Sequence, residues 1–163
     1  MGKEAKTNAM RFLEKQKVDY TAHEYPHEEG VAVDGVTVAA SMGQDPACVF
    51  KTLVTQGASR NYFVFVIPVA QELDLKAAAR AVGEKSVAML HVADINRVTG
   101  YVRGGCSPVG MKKQFVTRFH QSCLEQPAIY VSGGRIGTQI KAAPADLIRV
   151  CRGEAADLLL EES

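Results

Sequence analysis

Residues 49–66 read Val49-Phe50-Lys51-Thr52-Leu53-Val54-Thr55-Gln56-Gly57-Ala58-Ser59-Arg60-Asn61-Tyr62-Phe63-Val64-Phe65-Val66. Two runs rich in β-branched and aromatic residues flank a short polar segment. The outer runs suit a pleated surface, and the Gly, Ser and Asn between them suit a turn. The pattern predicts a strand over Val49–Thr55, a turn over Gln56–Asn61 and a second strand over Tyr62–Val66, paired as a hairpin. Neighbouring strands joined by a turn point to an antiparallel sheet. A doubly wound fold would need regular alternation of strand and helix.

Outward from this hairpin the other segments agree. On the N-terminal side, Ala9, Met10, Phe12 and Leu13 follow a helical period within Thr7–Lys17, with Thr7 as N-cap. Val18–Tyr25 alternates as a strand that Pro26 ends. Residues 27–35 are acidic and form a loop. Val36–Met42 reads as a short helix closed by Gly43, and Pro46 opens the approach to the hairpin. On the C-terminal side, Leu73–Val82 is an Ala- and Leu-rich helix closed by Gly83. Asp74 reads as its cap. A short strand over Ser86–Leu90 and a short helix capped by Asp94 precede Gly100. Gly100–Gly110 holds too much glycine for regular structure. Gln114–Phe119, Ala128–Ser132 and Thr138–Lys141 are strands, with Gly133-Gly134 turning the last pair into a hairpin. Pro144 opens a final helix carrying Leu147, Ile148 and Val150, which Asp157–Leu160 is expected to extend. The expected fold is therefore α+β: a single domain, residues 1–163, with a curved, mixed, largely antiparallel sheet or barrel flanked by helices.

Composition narrows the function. Of 163 residues, 47% are hydrophobic and 23% charged, enough to fill a core. Nineteen Lys+Arg against eighteen Asp+Glu leave a net charge of +1. Nucleic-acid binding would then rest on a local patch, for which Lys112, Lys113, Arg118 and Arg135 are candidates. No apolar run reaches the length of a membrane span, and Met1-Gly2-Lys3-Glu4-Ala5-Lys6 is not followed by a signal-peptide apolar region. Cys48, Cys106, Cys123 and Cys151 form no close pair, so free thiols in a reducing cytoplasm are expected and no metal site. Pro26 between His23 and His27 denies them a common helix face.

Three segments carry glycine or charge where packing does not ask for it. Lys51 interrupts an apolar strand. It is either a solvent-facing lysine or one that projects into a pocket to hold an anionic or carbonyl group. Gly100–Gly110 is either an elaborate turn or a loop whose backbone N–H groups converge on one acceptor, with Gly104 and Gly105 at its centre. It lacks the P-loop spacing. In Ser132-Gly133-Gly134-Arg135-Ile136-Gly137, a tight turn explains the glycines. Ser132 beside Arg135 equally suits a ribose or phosphate. No GxSxG nucleophile motif occurs, and no histidine is tied by sequence to Cys106, the best thiol candidate. Glu24, Glu28 and Glu29 read as surface charge.

Taken in order, Phe50-Lys51-Thr52-Leu53, Thr99 through Lys113, and Tyr130-Val131-Ser132-Gly133-Gly134-Arg135-Ile136-Gly137 resemble the YbaK/EbsC family of aminoacyl-tRNA deacylases, which is related to the editing domain of prolyl-tRNA synthetase. Leu13-Glu14-Lys15-Gln16-Lys17, His23-Glu24-Tyr25 and Leu73-Asp74-Leu75-Lys76-Ala77-Ala78 add to it. The resemblance spans about residues 7–152 and is strongest to the Cys-tRNA(Pro) deacylase branch. It implies hydrolysis of the ester joining cysteine to the 3′ end of proline tRNA, in trans, with prolyl-tRNA synthetase as a partner that lends tRNA affinity; no requirement for a metal or organic cofactor is indicated. It implies Lys51 as the hallmark site residue beside Thr52, with Tyr25, Gly104 and Ser132 lining the same pocket. Lys51 would hold phosphate or backbone oxygens of the acceptor end, the Gly104-Gly105 N–H groups would meet the oxyanion, and the substrate thiol would attack its own ester. Two positions depart from the family pattern. Asp34-Gly35 stands where an aromatic residue and glycine are usual, and Gln139 where an acidic residue is frequent. Asp34 at a pocket mouth would repel phosphate and alter specificity. Removal of alanine or another small residue is the sister activity. A non-catalytic relative that binds RNA or a partner is the reading from a different class.

Overall fold

A computed structural model describes residues 5–160. Thr7 caps the first helix, α1 (Asn8–Lys15), accepting from the Met10 N–H at 3.1 Å. The strand β1 (Tyr20–Glu24) follows, then the short helix α2 (Gly35–Ser41). A 3₁₀ turn over Pro46–Cys48 leads into the hairpin strands β2 (Phe50–Gly57) and β3 (Tyr62–Pro68). Helix α3 (Leu75–Val82), strand β4 (Val87–Met89) and helix α4 (Val92–Thr99) come next. After the glycine-rich loop lie β5 (Val116–His120), β6 (Ile129–Ser132) and β7 (Thr138–Ala142). Helix α5 (Pro144–Val150) and strand β8 (Glu154–Ala156) complete the described chain.

The strands form two sheets, ordered β1-β7-β6 and β4-β2-β3-β5-β8. The predicted hairpin is present, with Lys51 opposite Ile67 and Thr52 opposite Val66. The two sheets meet through a parallel bridge between Val49 and Tyr130 and do not close into a barrel. Both sequence-predicted hairpins are antiparallel, whereas β5 joins β3, and β8 joins β5, in parallel. Tyr62-Phe63-Val64-Phe65-Val66-Ile67 is apolar at nearly every position because β3 is covered on both faces. Val64 and Val66 pack with Phe50, Phe119, Ile129 and Ile140 in the larger core. Phe63, Phe65 and Ile67 pack with Ala78 and Ala79 of α3 and with Leu158.

Two local expectations are corrected. Asp94 lies in the first turn of α4 and His91 occupies the N-cap position. An acidic side chain there still favours the positive end of the helix dipole. The last helix is not extended by Asp157–Leu160: Arg152 takes a left-handed φ of 53° and the Gly153 N–H bonds Ile148 O at 2.8 Å, which closes α5. The chain then pairs as β8 and buries Leu158 over the α3 side of the sheet. Asp74 caps α3 as expected, accepting from the Lys76 and Ala77 N–H groups.

Candidate active site

A cavity of about 530 Å³ lies beside the Val49–Tyr130 bridge, where the two sheets meet. The start of β2 supplies Val49, Phe50, Lys51 and Thr52, and the β6–β7 hairpin supplies Val131, Ser132, Thr138 and Gln139. The loop before α2 and α2 itself supply Asp34, Gly35, Val36 and Val38, and the glycine-rich loop supplies Arg103, Gly104 and Cys106. Tyr25 and Val69 complete much of the wall. The three segments singled out in the sequence thus converge from positions about eighty residues apart.

Lys51 is half-buried and, among the described residues, forms no ion pair. Burial holds its amine below the ordinary lysine pKa, with Glu72 opposing weakly. Next to it, the Thr52 hydroxyl is buried and has no hydrogen-bond partner among the described residues. A buried, unpaired hydroxyl costs roughly 1–3 kcal/mol. Both groups stay available to a bound molecule. Gly104 takes a φ of +84°, which favours glycine, and a Cβ there would lie 2.6 Å from the Ala32 Cβ. Its N–H meets no protein acceptor among the described residues.

Tyr25 is buried at the end of β1, where its N–H bonds Gly137 O at 2.9 Å. Its ring meets the His27 ring edge-on, and His27 in turn lies under Gly137, where any Cβ would collide with the imidazole. That contact explains the last glycine of the Ser132–Gly137 motif. Ser132 accepts from the Gly134 N–H at 3.3 Å and lines the cavity. Asp34 stands on the exposed rim, where it accepts from Thr37 N–H and Oγ1, both at 2.8 Å. These bonds hold its carboxyl below the usual range. It is the N-cap of α2, which begins at Gly35, one residue before the Val36 start that the sequence predicts.

Two expected site residues take other places. Gly105 does not line the cavity; its N–H donates to Val102 O at 2.9 Å, and it packs on the Arg135 backbone, where a Cβ would come within 2.8 Å. Of the two adjacent N–H groups, only that of Gly104 is left without a protein acceptor among the described residues. Arg135 also lies outside the cavity wall. Its guanidinium bonds Thr138 Oγ1 at 3.1 Å and Ala5 O, fastening the N-terminal segment to the hairpin. Arg118 is likewise committed, to Ala81 O, Thr117 O and Glu154, so it does not serve as an open basic surface. Lys112 reaches Arg97 O at 3.2 Å beside the glycine-rich loop.

Cys106 lines the cavity, but burial pushes its thiol up to about 11, so it is protonated at neutral pH. Its contact is Thr99 Oγ1 at 4.0 Å, and no histidine or carboxylate hydrogen-bonds it among the described residues. A protonated thiol without a base is a poor nucleophile. Among the described residues no group of three or more His, Cys, Asp or Glu side chains could hold a metal ion. No helix among them is long and apolar enough to cross a membrane. Sequence reasoning missed Arg103, exposed on the cavity wall, and the valine wall of Val36, Val38 and Val69. Arg103 sat within the glycine-rich motif and was the available signal; the valines offered none.

The aminoacyl-tRNA editing domain family matches residues 30–150, a span that contains all the cavity residues except Tyr25. A protein of Enterococcus faecalis named "Putative Cys-tRNA(Pro)/Cys-tRNA(Cys) deacylase EbsC" is 45% identical over 157 residues, covering 96% of this chain and 95% of its own. Two solved structures share the fold. One, titled as a putative trans-editing enzyme for prolyl-tRNA synthetase, superposes with a TM-score of 0.80 at 22% identity, covering 97% of this chain and 100% of its own. The other, the hypothetical protein APE2540, gives 0.83 at 19% identity over 94% and 99% of the two chains. With a match over most of its length and the cavity inside it, the chain belongs to the aminoacyl-tRNA editing domain family.

Proposed function

We propose that the protein is a trans-acting deacylase that hydrolyses the ester of cysteine misattached to proline tRNA. The observation that carries this reading is the meeting in one cavity of a half-buried Lys51 without an ion pair, a Thr52 hydroxyl without a hydrogen-bond partner and a Gly104 N–H without a protein acceptor, all among the described residues. An aminoacyl ester is already activated, so positioning and oxyanion stabilisation suffice for its cleavage. The acceptor end enters past Arg103, and Lys51 binds its phosphate or ribose oxygens. Tyr25, Thr52 and Ser132 seat the aminoacyl group against the valine wall. The Gly104 N–H donates to the carbonyl oxygen as negative charge develops there. The substrate thiol loses its proton and attacks its own carbonyl carbon. The C–O bond to the ribose breaks and the 3′ oxygen takes up the proton. The cyclic thioester that leaves is opened by water.

The protonated state of Cys106 supports this route, because it leaves the thiol of the substrate as the nucleophile at hand. A net charge of +1 gives weak tRNA affinity. A complex with prolyl-tRNA synthetase supplies the missing grip, and the reaction is placed in the cytoplasm with translation. The test is single-turnover deacylation of Cys-tRNA(Pro) and Ala-tRNA(Pro) by wild type and Lys51→Ala. Cleavage of the cysteinyl ester, lost by more than about a hundredfold in the variant, is expected. Preference for the alanyl ester would move the protein to the sister activity. Cleavage of neither would leave a non-catalytic binding module.

A further inference from the structure

Gln139 is 4% exposed, yet both polar atoms of its side chain are satisfied by one residue. Gln44 Nε2 donates to Gln139 Oε1 at 2.9 Å, and Gln139 Nε2 donates to Gln44 Oε1 at 3.1 Å. The two amides form a closed ring of two hydrogen bonds between segments 95 residues apart. Gln139 sits in the middle of the three-stranded sheet, opposite His23 on β1 and Ser132 on β6. Gln44 is tied to the end of α2: its N–H bonds Ala39 O at 2.9 Å after Gly43 turns the chain at φ +65°. The opposite end of α2 is seated by Gly35, where a Cβ would lie 2.3 Å from Val69 Cγ1. Helix α2 is therefore pinned at both ends, with Val36 and Val38 on the cavity wall between the pins.

We infer that the Gln44–Gln139 amide ring is a latch that sets the separation of the α2 wall from the β6–β7 hairpin and so limits the size of the aminoacyl side chain admitted. Both glutamines are positioning residues. The inference rests on the deacylase reading for its substrate but not for the latch. With the ring opened, α2 keeps its Gly35 seat and the packing of Ala39 with Val49 and Val69 while its Gln44 end is released, and the first side chains to gain are thiols just larger than cysteine, with homocysteine, one methylene longer, foremost.

Two readouts test it. Hydrogen exchange over residues 35–44 is followed in wild type, Gln44→Ala and Gln44→Glu. Deacylation of Cys-tRNA(Pro) and of the same tRNA carrying homocysteine, which keeps the thiol and adds one methylene, is compared in the same proteins, each corrected for its rate without enzyme. Gln44→Ala is expected to speed exchange in α2 by about tenfold or more and to lower the preference for the cysteinyl ester by at least about fivefold. Gln44→Glu is the same shape, but only its protonated acid can both donate and accept across the ring. Its exchange and selectivity should approach wild type as pH falls through the glutamate range, near 4.3, while Gln44→Ala does not recover. Unchanged α2 exchange in Gln44→Ala overturns the latch. Faster exchange with unchanged selectivity overturns its role in specificity. Failure of wild type to cleave either ester overturns the deacylase reading and the selectivity claim with it, and the exchange data still decide the latch.

Discussion

Replacing Gly104 by alanine tests the proposed oxyanion donor against the packing that holds it. The residue has φ +84°, a conformation that costs an L-residue about 1–2 kcal/mol. The new Cβ would also stand 2.6 Å from the Ala32 Cβ and 3.2 Å from its Cα, so one loop must shift. Overpacking of this kind costs about 1–3 kcal/mol. The sum, about 2–5 kcal/mol, leaves most domains folded at 25 °C but moves the Gly104 N–H. Gly30 is the control: its φ is +75° and a Cβ there meets nothing within 4 Å, so Gly30→Ala bears only the conformational cost. Denaturant unfolding should place Gly104→Ala about 1–3 kcal/mol below Gly30→Ala. Single-turnover deacylation should fall about 100-fold or more in Gly104→Ala, the usual effect of losing one oxyanion donor, and by less than about threefold in Gly30→Ala. Adding Ala32→Gly to Gly104→Ala removes the nearest clashing atom and should restore part of both losses. Gly104→Ala cleaving at the wild-type rate would refute the donor role, and equal stability of the two alanine variants would refute the packing argument.

Cys106→Ala should keep most of the deacylation rate, because a thiol raised to about 11 carries no nucleophile at neutral pH; a loss above about a hundredfold, roughly 2.7 kcal/mol of barrier, would contradict this. Asp34→Ser should keep the α2 cap while removing the rim charge, so acceptor-end binding at low salt should tighten by up to about fivefold. Weaker binding would show that the carboxylate is not opposing phosphate. Asp34→Phe is a less clean probe, since it also removes the cap at a cost of about 1 kcal/mol. His120 accepts the Leu158 N–H on Nδ1 at 3.2 Å, and burial lowers its pKa below 6.5 despite Asp157 and Glu125 nearby. The neutral ring is the folded form, so its contribution is complete above about pH 6.5 and declines as pH falls from there to the folded pKa. Thermal unfolding between pH 7 and pH 5 should show this decline, and His120→Asn, which can keep an acceptor, should flatten it; an unchanged slope would remove His120 as its source.

Much of the architecture was legible because local chemistry and tertiary structure agree. Thr7, Asp74 and Gly83 cap helices with their own side chain or backbone, which needs nothing from distant residues. The two hairpins were readable because turn residues lie between strand runs of the right length. The parallel additions of β5 and β8 were not, since each depends on a pairing with a strand far along the chain that no local pattern specifies. The same limit explains Asp94 and the end of α5. Either residue run is compatible with more than one helix boundary until packing chooses.

The site divides in the same way. By itself the sequence determined that Lys51, the Gly104 loop and Ser132 are the unusual positions, because a charge in an apolar strand and a cluster of glycines are departures visible one residue at a time. Only the tertiary structure decided which groups remain available. Gly105 and Arg135 look equivalent to their neighbours in the chain, yet the N–H of the first is taken by Val102 and the guanidinium of the second by Thr138 and Ala5. The pairing of Gln44 with Gln139 has no sequence signal at all. Hydrogen-bond partnership is a property of distances in space, and a segment 95 residues away enters that account only when the chain has folded.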